Sequence, residues 1–303
     1  MRFVVVGGTG AIGSWVVRRL CQRGHRVIVV HRGRTESQLP ADVPHIHGDV
    51  SRLPETPDLV CDTAIHMYAL CLKDSVEFVG AFSQRAGRLL VVSSGDVYRA
   101  YGVLHRKETV AIDPSPIAED AGLRSVLHLY PEVPEYDKIP VERTVMAAAD
   151  GNCVLRLPAV YGPGDSHHRA GVWLKQMSAA EPFQIGEKYA RWRWTHGYIE
   201  DVAEAIARAA VDHRSAGRIY NVGELVTPTM FERIQRLGRA FGWRGQMVVV
   251  PEQESPLDYR QHLVMDSSRI RKELGFVEVT PEEEALRRTI AWEVDAGYVS
   301  RPS

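Results

Sequence analysis

Several absences narrow the classes of protein to which this chain can belong. Its four cysteines form no Cys-x-x-Cys pair, which fits reduced thiols better than a disulfide framework. No apolar run approaches the roughly 20 residues of a membrane-spanning helix, and Met1 leads into an apolar strand without the basic start of a secretion signal. The net charge is −1 without long blocks of one sign, so neither nucleic acid nor an anionic membrane is indicated as a partner. We expect a cytoplasmic protein whose partners are small molecules or copies of itself.

Alternating secondary-structure patterns fill the first half of the 303 residues. Short β-branched runs are followed by segments with helical periodicity, and this order predicts an α/β fold with a doubly wound parallel sheet and helices on both faces. The runs RFVVV, RVIVV, HIH, DLVCDTAI and RLLVVSS are predicted strands, and helices are predicted over about 11–23 and 74–86.

Residues 99–135 break this rhythm, because the segment contains four prolines and has no sustained period. We predict a long excursion near the mouth of the site. Beyond it, helices are predicted over about 138–149, 200–212, 228–242 and 281–293, with strands at 153–157 and 218–222.

The segment GGTGAIG follows the first predicted strand and opens the first predicted helix. Glycines at these spacings let the chain turn tightly and approach a pyrophosphate, while the helix N-terminus supplies free N–H groups and a positive dipole. The pattern predicts a dinucleotide site, with a glycine-rich turn that binds nothing as the alternative. The expected contacts come from Gly7, Thr9, Gly10, Ala11, Ile12 and Gly13.

The second strand ends in His31, Arg32, Gly33 and Arg34, and no carboxylate follows until Glu36. NAD-specific sites usually offer a carboxylate to the ribose hydroxyls at this point, whereas guanidinium groups suit a 2′-phosphate. The residues therefore favour NADP, with Arg32 as its contact. If both arginines are only a solvated turn, NAD remains the alternative.

Further motifs extend along nearly the whole chain: GDV at 48–50, VVSSGDVY at 91–98, VLRLPAVYGPGD at 154–165, YIEDVAEAI at 198–206 and IYNVG at 219–223. With the glycine motif, they make the sequence resemble the extended short-chain dehydrogenase/reductases of the NAD-dependent epimerase/dehydratase group. The resemblance implies that Asp49 and Val50 lie at the adenine, and that Pro158 and Val160 lie in the loop beside the nicotinamide. Many members of the group act on nucleotide sugars, often as dimers. The resemblance is therefore compatible with a homodimer of this chain.

The resemblance also implies a domain organisation. Residues 1–165 are expected to form the dinucleotide-binding Rossmann domain, and residues 166–303 mainly a smaller substrate-binding lobe. The predicted helix 200–212 and strand 218–222 are expected to pack back onto the first domain.

The family's reaction uses a tyrosine base, a lysine four residues later that lowers the pKa of the tyrosine, and a Ser or Thr that holds the substrate oxygen. Ser94 matches that Ser/Thr, or it caps backbone groups at a strand end. No Tyr-x-x-x-Lys occurs in this chain, and matching Lys138 to the family lysine puts Pro134 at the tyrosine position. Because Pro140 would clash with a carbonyl one turn earlier, the helix is expected to begin near Asp137.

Tyr136 then precedes the helix, so the helix does not fix the direction of its side chain. It is the candidate replacement for the catalytic tyrosine, with a packed loop aromatic as the alternative. Lys138 is expected to bind the nicotinamide ribose. Asp96 stands where some sugar-nucleotide dehydratases carry an acid and is a candidate substrate contact, although an exposed turn aspartate is the reading that the sequence favours.

Relatives often place an arginine that binds a nucleotide-sugar phosphate just before the YIEDVA helix. Arg193 is the candidate for this contact, although the usual position falls on Trp194. A surface arginine, or a cation–π pair with Trp192 or Trp194, is the alternative. Arg124, His128 and Tyr130 lie in the proline-rich excursion and are equally well explained by loop exposure. The histidines at 45, 47, 167 and 168 have no acidic or cysteine partners at ligand spacing, so no metal site is predicted.

The sequence thus predicts an NAD(P)-dependent oxidoreductase, epimerase or dehydratase that acts on a hydroxylated, nucleotide-sugar-like small molecule with an altered catalytic motif. The alternative is a dinucleotide-binding protein without hydride chemistry, in a structural or sensor role.

Overall fold

A computed structural model describes residues 1–34, 37–55, 59–127, 129–179, 182–251 and 254–300. Six strands and their crossovers form the first part of the fold. The strands are β1 (Arg2–Val6), β2 (Arg26–His31), β3 (His45–His47), β4 (Cys61–His66), β5 (Ala86–Ser94) and β6 (Cys153–Leu157), and the helices are α1 (Ala11–Gln22), α2 (Leu72–Phe82), α3 (Arg99–Leu104) and α4 (Lys138–Ala148).

The remaining elements follow the β6 strand. They are β7 (Ala159–Tyr161), α5 (Arg169–Met177), β8 (Phe183–Gly186), α6 (Glu187–Arg191), β9 (His196–Tyr198), α7 (Ile199–Val211), β10 (Ile219–Asn221), α8 (Met230–Phe241), β11 (Met247–Val250), α9 (Ser268–Leu274) and α10 (Glu282–Asp295).

Seven strands form one parallel sheet in the order β10-β6-β5-β4-β1-β2-β3. Alternate residues of each strand point to opposite faces, so the β-branched strands build two cores. On one face Leu90 and Val92 pack against α1 and α7, and on the other Leu89 and Val91 pack against α2 and α4. The α/β fold with helices on both faces, predicted from the sequence, is confirmed.

The order of the strands reverses between β1 and β4, which lie side by side although β2 and β3 intervene in the sequence. In an open parallel sheet, ligands bind outside the carboxyl ends of the strands at such a point. The glycine loop follows β1 at this edge, and Ser94 ends β5 at the same edge.

Some elements of the later part of the chain pack onto the central sheet, and the others form a separate core. Strand β10 pairs with β6, and α7 packs against α1 in the first core. Helices α5, α8 and α10, with the β8–β11 pair, enclose a separate apolar core that includes Leu174, Ile234 and Ile290. The division of the chain at residue 165 stays a prediction.

One predicted loop contains regular structure. Residues 99–135 were expected to be an irregular excursion, but residues 99–104 form α3, whose side chains are almost all buried in a core shared with later parts of the chain, including Trp192 and Leu263. None of the helices within the described ranges is long and apolar enough to cross a membrane.

Candidate active site

The glycine loop forms a tight turn between β1 and α1. Gly7 has φ of 79°, a left-handed angle that favours glycine. A Cβ on Gly13 would lie 2.3 Å from the carbonyl oxygen of Gly7, so this position has no room for a side chain. Gly10 differs from both, because its φ of −70° is ordinary and a Cβ there would meet only the Gly7 oxygen, at 3.4 Å.

The loop fits a dinucleotide pyrophosphate. The space in front of Gly10 is open, and no side chain in the described residues caps the N-terminus of α1. The first N–H groups of a helix need partners, and a phosphate supplies them. Thr9 is buried and its carbonyl accepts a hydrogen bond from Ser37 at 2.7 Å, which ties the loop to the segment after β2. Ala11 is exposed beside the loop and Ile12 is half-buried.

The end of β2 carries exposed cationic side chains. Arg32 and Arg34 are both exposed, and Gly33 between them has φ of 72°. Glu36, the first carboxylate after this strand, lies outside the described residues. Asp49 is half-buried at the end of β3, and hydrogen bonds from Ser51 lower the pKa of its carboxyl. Val50 beside it is buried.

Three histidines lie together behind this turn. The rings of His31 and His45 are joined by a nitrogen–nitrogen contact of 2.9 Å, and the ring of His47 lies 4.4 Å from that of His31. Sequence spacing related only His45 and His47, because His31 lies on the neighbouring strand.

Ser94 ends β5 and begins a short 3-10 turn over Gly95–Val97. Its Oγ accepts a hydrogen bond from the backbone N–H of Asp96 at 3.3 Å. Asp96 is only 4% exposed, so the sequence-based preference for an exposed turn aspartate is wrong. The side chain turns inward, and its Oδ1 has no hydrogen-bond partner among the described residues.

Tyr136 reaches the same place from the loop before α4. Its hydroxyl donates to Oδ2 of Asp96 at 2.7 Å. Burial and the adjacent Asp96 carboxylate raise the pKa of Tyr136 far above its usual value, and a side-chain hydrogen bond with Ser94 opposes that shift. Burial also raises the pKa of Asp96. Ser94, Asp96 and Tyr136 therefore form one connected polar group, as the replacement hypothesis requires.

Lys138 is the first residue of α4 and is 5% exposed. Its ammonium group donates to the carbonyl oxygens of Ala69 and Val92 and lies 5.7 Å from the centre of the Tyr136 ring. Burial lowers the pKa of Lys138 to about 8, against the opposing effect of Asp96. A cation thus lies directly beneath the tyrosine.

The start of α4 agrees with the sequence. Asp137 is its N-cap and accepts a hydrogen bond from Ile139 N–H at 3.0 Å. Pro140 lies in the first turn, where the absence of an N–H costs nothing. The prediction that the helix begins near Asp137 is confirmed, and it explains why Tyr136 is free to turn toward Asp96.

Arg124 links the segment of Ser94 and Asp96 to the segment of Tyr136. The sequence did not predict this role. Its side chain is fully buried, so the alternative of loop exposure is wrong. The guanidinium donates to the backbone oxygen of Asp96 at 2.6 Å and pairs with Asp137 at 3.0 Å. Arg124 therefore fixes the turn after Ser94 relative to the residue that follows Tyr136. The sequence signal for this role is limited to a charged side chain within a proline-rich loop.

The loop after β6 flanks the site. Pro158 is buried, and the carbonyl oxygen of Val160 accepts from Arg169 at 3.1 Å. Gly164, with φ of 91°, brings this loop against Ala11 at the start of α1, where a Cβ on the glycine would lie 3.1 Å away. The loop therefore meets the glycine loop, consistent with two segments that share one cofactor.

Arg193 is not part of the polar group formed by Ser94, Asp96 and Tyr136. Its guanidinium donates to the carbonyl oxygen of Thr227 at 2.6 Å. The neighbouring Trp194 donates to the hydroxyl of Tyr101 at 3.3 Å. The role of Arg193 in substrate binding stays a prediction.

Tyr130, in the excursion, lies beside the candidate tyrosine. Its ring is half-buried with its centre 5.7 Å from that of Tyr136. Tyr130 is therefore a wall of the site and not a freely exposed loop residue. His128, also considered from the sequence, lies outside the described residues.

Comparison with known proteins identifies the family. The model of the NAD dependent epimerase/dehydratase family matches residues 3–88 and 80–223. The chain belongs to that family. It is therefore an NAD-dependent enzyme of the short-chain dehydrogenase/reductase superfamily, as its motifs predicted.

One curated relative of this epimerase/dehydratase family member is 2'-dehydrokanamycin reductase of Streptomyces kanamyceticus. The two are 29% identical over 263 residues, which is 80% of this chain and 68% of the relative. Among solved structures, MoeE5 in complex with UDP-glucuronic acid and NAD has a TM-score of 0.71 and 21% identity, over 98% of this chain and 100% of the other. UDP-glucose 4-epimerase from Thermotoga maritima with UDP-glucose has a TM-score of 0.70 and 18% identity, over 98% and 99%. These two structures share the fold.

Proposed function

We propose that this chain reduces a ketone on a hydroxylated small molecule, with Tyr136 as the proton donor. The observation that carries the proposal is the 2.7 Å hydrogen bond from the Tyr136 hydroxyl to Asp96, beside Ser94 and above the Lys138 ammonium. Tyr136 then replaces the family tyrosine, two residues before the lysine instead of four. Its raised pKa keeps the phenol protonated, so the proton is present at neutral pH, and nearby groups must make that proton easier to transfer.

The cofactor contacts follow from the loops already described. Gly7, Thr9, Gly10, Ala11, Ile12 and Gly13 hold the pyrophosphate, Asp49 and Val50 the adenine, and Pro158, Val160 and Lys138 the nicotinamide end. When bound, the reduced cofactor supplies the hydride that is added to the carbonyl carbon.

The protein's own residues handle the proton. Ser94 positions the carbonyl oxygen of the substrate, and Tyr136 donates its hydroxyl proton to that oxygen as negative charge develops there. Asp96 in its protonated form turns as donor toward the tyrosine oxygen, which frees the phenol proton for the substrate and then replaces it. The Asp96 carboxylate takes up a proton from solvent before the next turnover. The Lys138 cation stabilises negative charge that forms on Tyr136 during the transfer.

This relay gives a pH dependence with a definite sign. Burial raises the pKa of Asp96, so the carboxyl keeps its proton to higher pH than an exposed aspartate and loses it as pH rises through that value. We expect kcat/KM for reduction to fall there, with a further fall near pH 8, where Lys138 loses its charge. In Asp96→Asn only the second fall should remain. A profile of wild type and variant checks this, and an unchanged first fall in the variant would remove Asp96 from the relay.

We infer that the cofactor is NADP, with NAD as the alternative. Arg32 and Arg34 are exposed at the end of β2, where a 2′-phosphate would meet them. Arg32→Ala should weaken NADPH binding by about 1.5–3 kcal/mol, roughly ten- to a hundredfold, because a charged contact to that phosphate is lost. NADH binding should change little. Calorimetry with both cofactors checks this, and equal losses would exclude the contact.

A panel of two ketones, the ketone panel, tests the substrate class. One is the 2'-dehydrokanamycin that the name of the Streptomyces relative describes, and the other is a UDP-4-ketosugar, suggested by the UDP-sugar complexes of the structural neighbours. Substrate contacts are proposed for Ser94, Asp96 and Arg193. Consumption of NADPH with either ketone supports a reductase, and the faster one defines the class.

The second candidate is a dinucleotide-binding protein without hydride chemistry. It is favoured by the Lys138 ammonium, which is bonded to two backbone carbonyl groups. Such a protein would bind NADPH but leave its redox state unchanged with every ketone of the panel.

A further inference from the structure

A cavity of about 480 Å³ lies beyond the loop after β6, between the start of α7, helix α8 and the segment that leads into α10. This volume is within the range of small-molecule sites. Its walls include Tyr161, His196, Glu224, Arg233, Val226 and Phe276. It does not include Ser94, Asp96, Tyr136 or Lys138, so the proposed reaction does not account for it.

Two buried polar atoms of these walls have no hydrogen-bond partner in the described part of the chain: Nε2 of His196 and Nε of Arg233. His196 is 1% exposed, and the side chain of Arg233 is 13% exposed. A buried polar group without a partner costs free energy comparable to that of a lost hydrogen bond. Both atoms therefore call for a group that the protein itself does not supply.

The hydrogen-bonding character of each atom follows from its surroundings. Nδ1 of His196 lies 2.8 Å from the carbonyl oxygen of Trp194, which can only accept, so Nδ1 carries the hydrogen. Burial lowers the pKa of His196 well below its usual value, so the ring is neutral and Nε2 is an acceptor. Nε of Arg233 is a donor. A ligand must therefore offer one donor and one acceptor, and a hydroxyl group is both.

Both arginines of the cavity lining already pair with carboxylates, and the lining has more carboxylates than arginines. Arg233 pairs with Glu224, and Arg236 pairs with Glu282 at 3.0 Å. Asp201 accepts hydrogen bonds from the N–H groups of residues 279 and 280. A phosphate or carboxylate would find no unpaired cation among these residues. Tyr161, which is half-buried, contributes an aromatic side chain to the lining, and a sugar ring packs on apolar surface of this kind.

We propose that this cavity binds a neutral polyhydroxylated ring. The ring has two sources, a separate sugar molecule or the distal ring of a larger substrate. The second source is within reach because Tyr161 ends the β-strand that contains Val160, and because the ring of His196 meets that of Trp194 edge to face, with 4.9 Å between their centres.

Nitrogen NMR of the full-length, 15N-labelled protein tests the site without any assay of activity. Methyl β-glucopyranoside should shift the Nε2 resonance of His196 saturably, because that nitrogen gains a hydrogen bond, and inorganic phosphate should not. Arg233→Lys keeps a cation for Glu224 but removes the Nε donor, and should weaken glucoside binding roughly tenfold. Val226→Trp fills the cavity from a residue that is 72% exposed and should abolish binding without disturbing the core.

Arg214→Ala is the matched control, since Arg214 is exposed, pairs with Asp212 and lies outside the cavity. It should leave the affinity unchanged. No saturable shift with the glucoside, a shift with phosphate alone, or full binding by Val226→Trp overturns the proposal. Competition with the ketone panel identifies the source: a distal ring of the substrate competes with the glucoside, and a separate sugar does not.

Discussion

Tyr136→Phe is expected to lower the turnover of ketone reduction by about a hundredfold or more, which is the usual size of a general acid–base contribution. The variant loses a single oxygen, the one that donates to Asp96 at 2.7 Å. The ring remains, with its contact to Tyr130, so the fold and the cofactor affinity should barely change. Steady-state rates with the ketone panel and calorimetric titration with NADPH measure both quantities.

Two comparisons make this result specific. Lys138→Ala should lower both turnover and cofactor affinity, because the lysine is assigned to the nicotinamide ribose and also lies 5.7 Å from the tyrosine ring. Tyr130→Phe should leave turnover near that of the wild type, because Tyr130 contributes a ring and not the reacting proton. If Tyr136→Phe keeps full turnover while Ser94→Ala loses it, the proton donor must be sought elsewhere, with Asp96 the next candidate.

Gly10→Val is expected to abolish dinucleotide binding while the protein stays folded. The φ of −70° at Gly10 is one that valine adopts, so the backbone conformation does not oppose the substitution. The expected effect is steric: the side chain would fill the open space over the N-terminus of α1, where the pyrophosphate is proposed to lie. Calorimetry should detect no NADPH binding, and thermal unfolding should remain cooperative.

Gly13→Val provides the contrast. Its Cβ would lie 2.3 Å from the Gly7 carbonyl oxygen, so this variant should lose stability as well as binding. Wild-type affinity for NADPH in Gly10→Val would contradict the assignment of the loop to a dinucleotide.

The features that the sequence predicted well are those fixed by local physics. Alternation of β-branched runs with helical periods predicted the parallel sheet, because both patterns follow from the geometry of the elements. The start of α4 was predicted from Pro140, since a proline restricts the backbone wherever it lies. The glycine motif was recognised because each spacing has a steric reason.

The features that it missed depend on contacts between distant segments. Asp96 is buried because Arg124, 28 residues later, returns to its backbone oxygen. The path of an irregular loop decides that contact, and no periodicity reports it. The orphaned Nε2 of His196 depends likewise on the packing of its ring among Tyr161, Trp173 and Trp194. Sequence patterns identify the types of side chain, but only the fold decides which of them meet.

Transfer of a labelled hydride tests the central claim most directly. The wild-type enzyme is loaded with NADPH that carries deuterium at the transferring position of the nicotinamide, mixed with each ketone of the panel, and the product is analysed by mass spectrometry. We expect one deuterium in the alcohol product of the wild type, and about a hundredth as much labelled product or less within the same time in Tyr136→Phe with equal bound cofactor. Bound NADPH that transfers no deuterium to either ketone in the wild type would contradict the reductase account and favour a dinucleotide-binding protein without hydride chemistry.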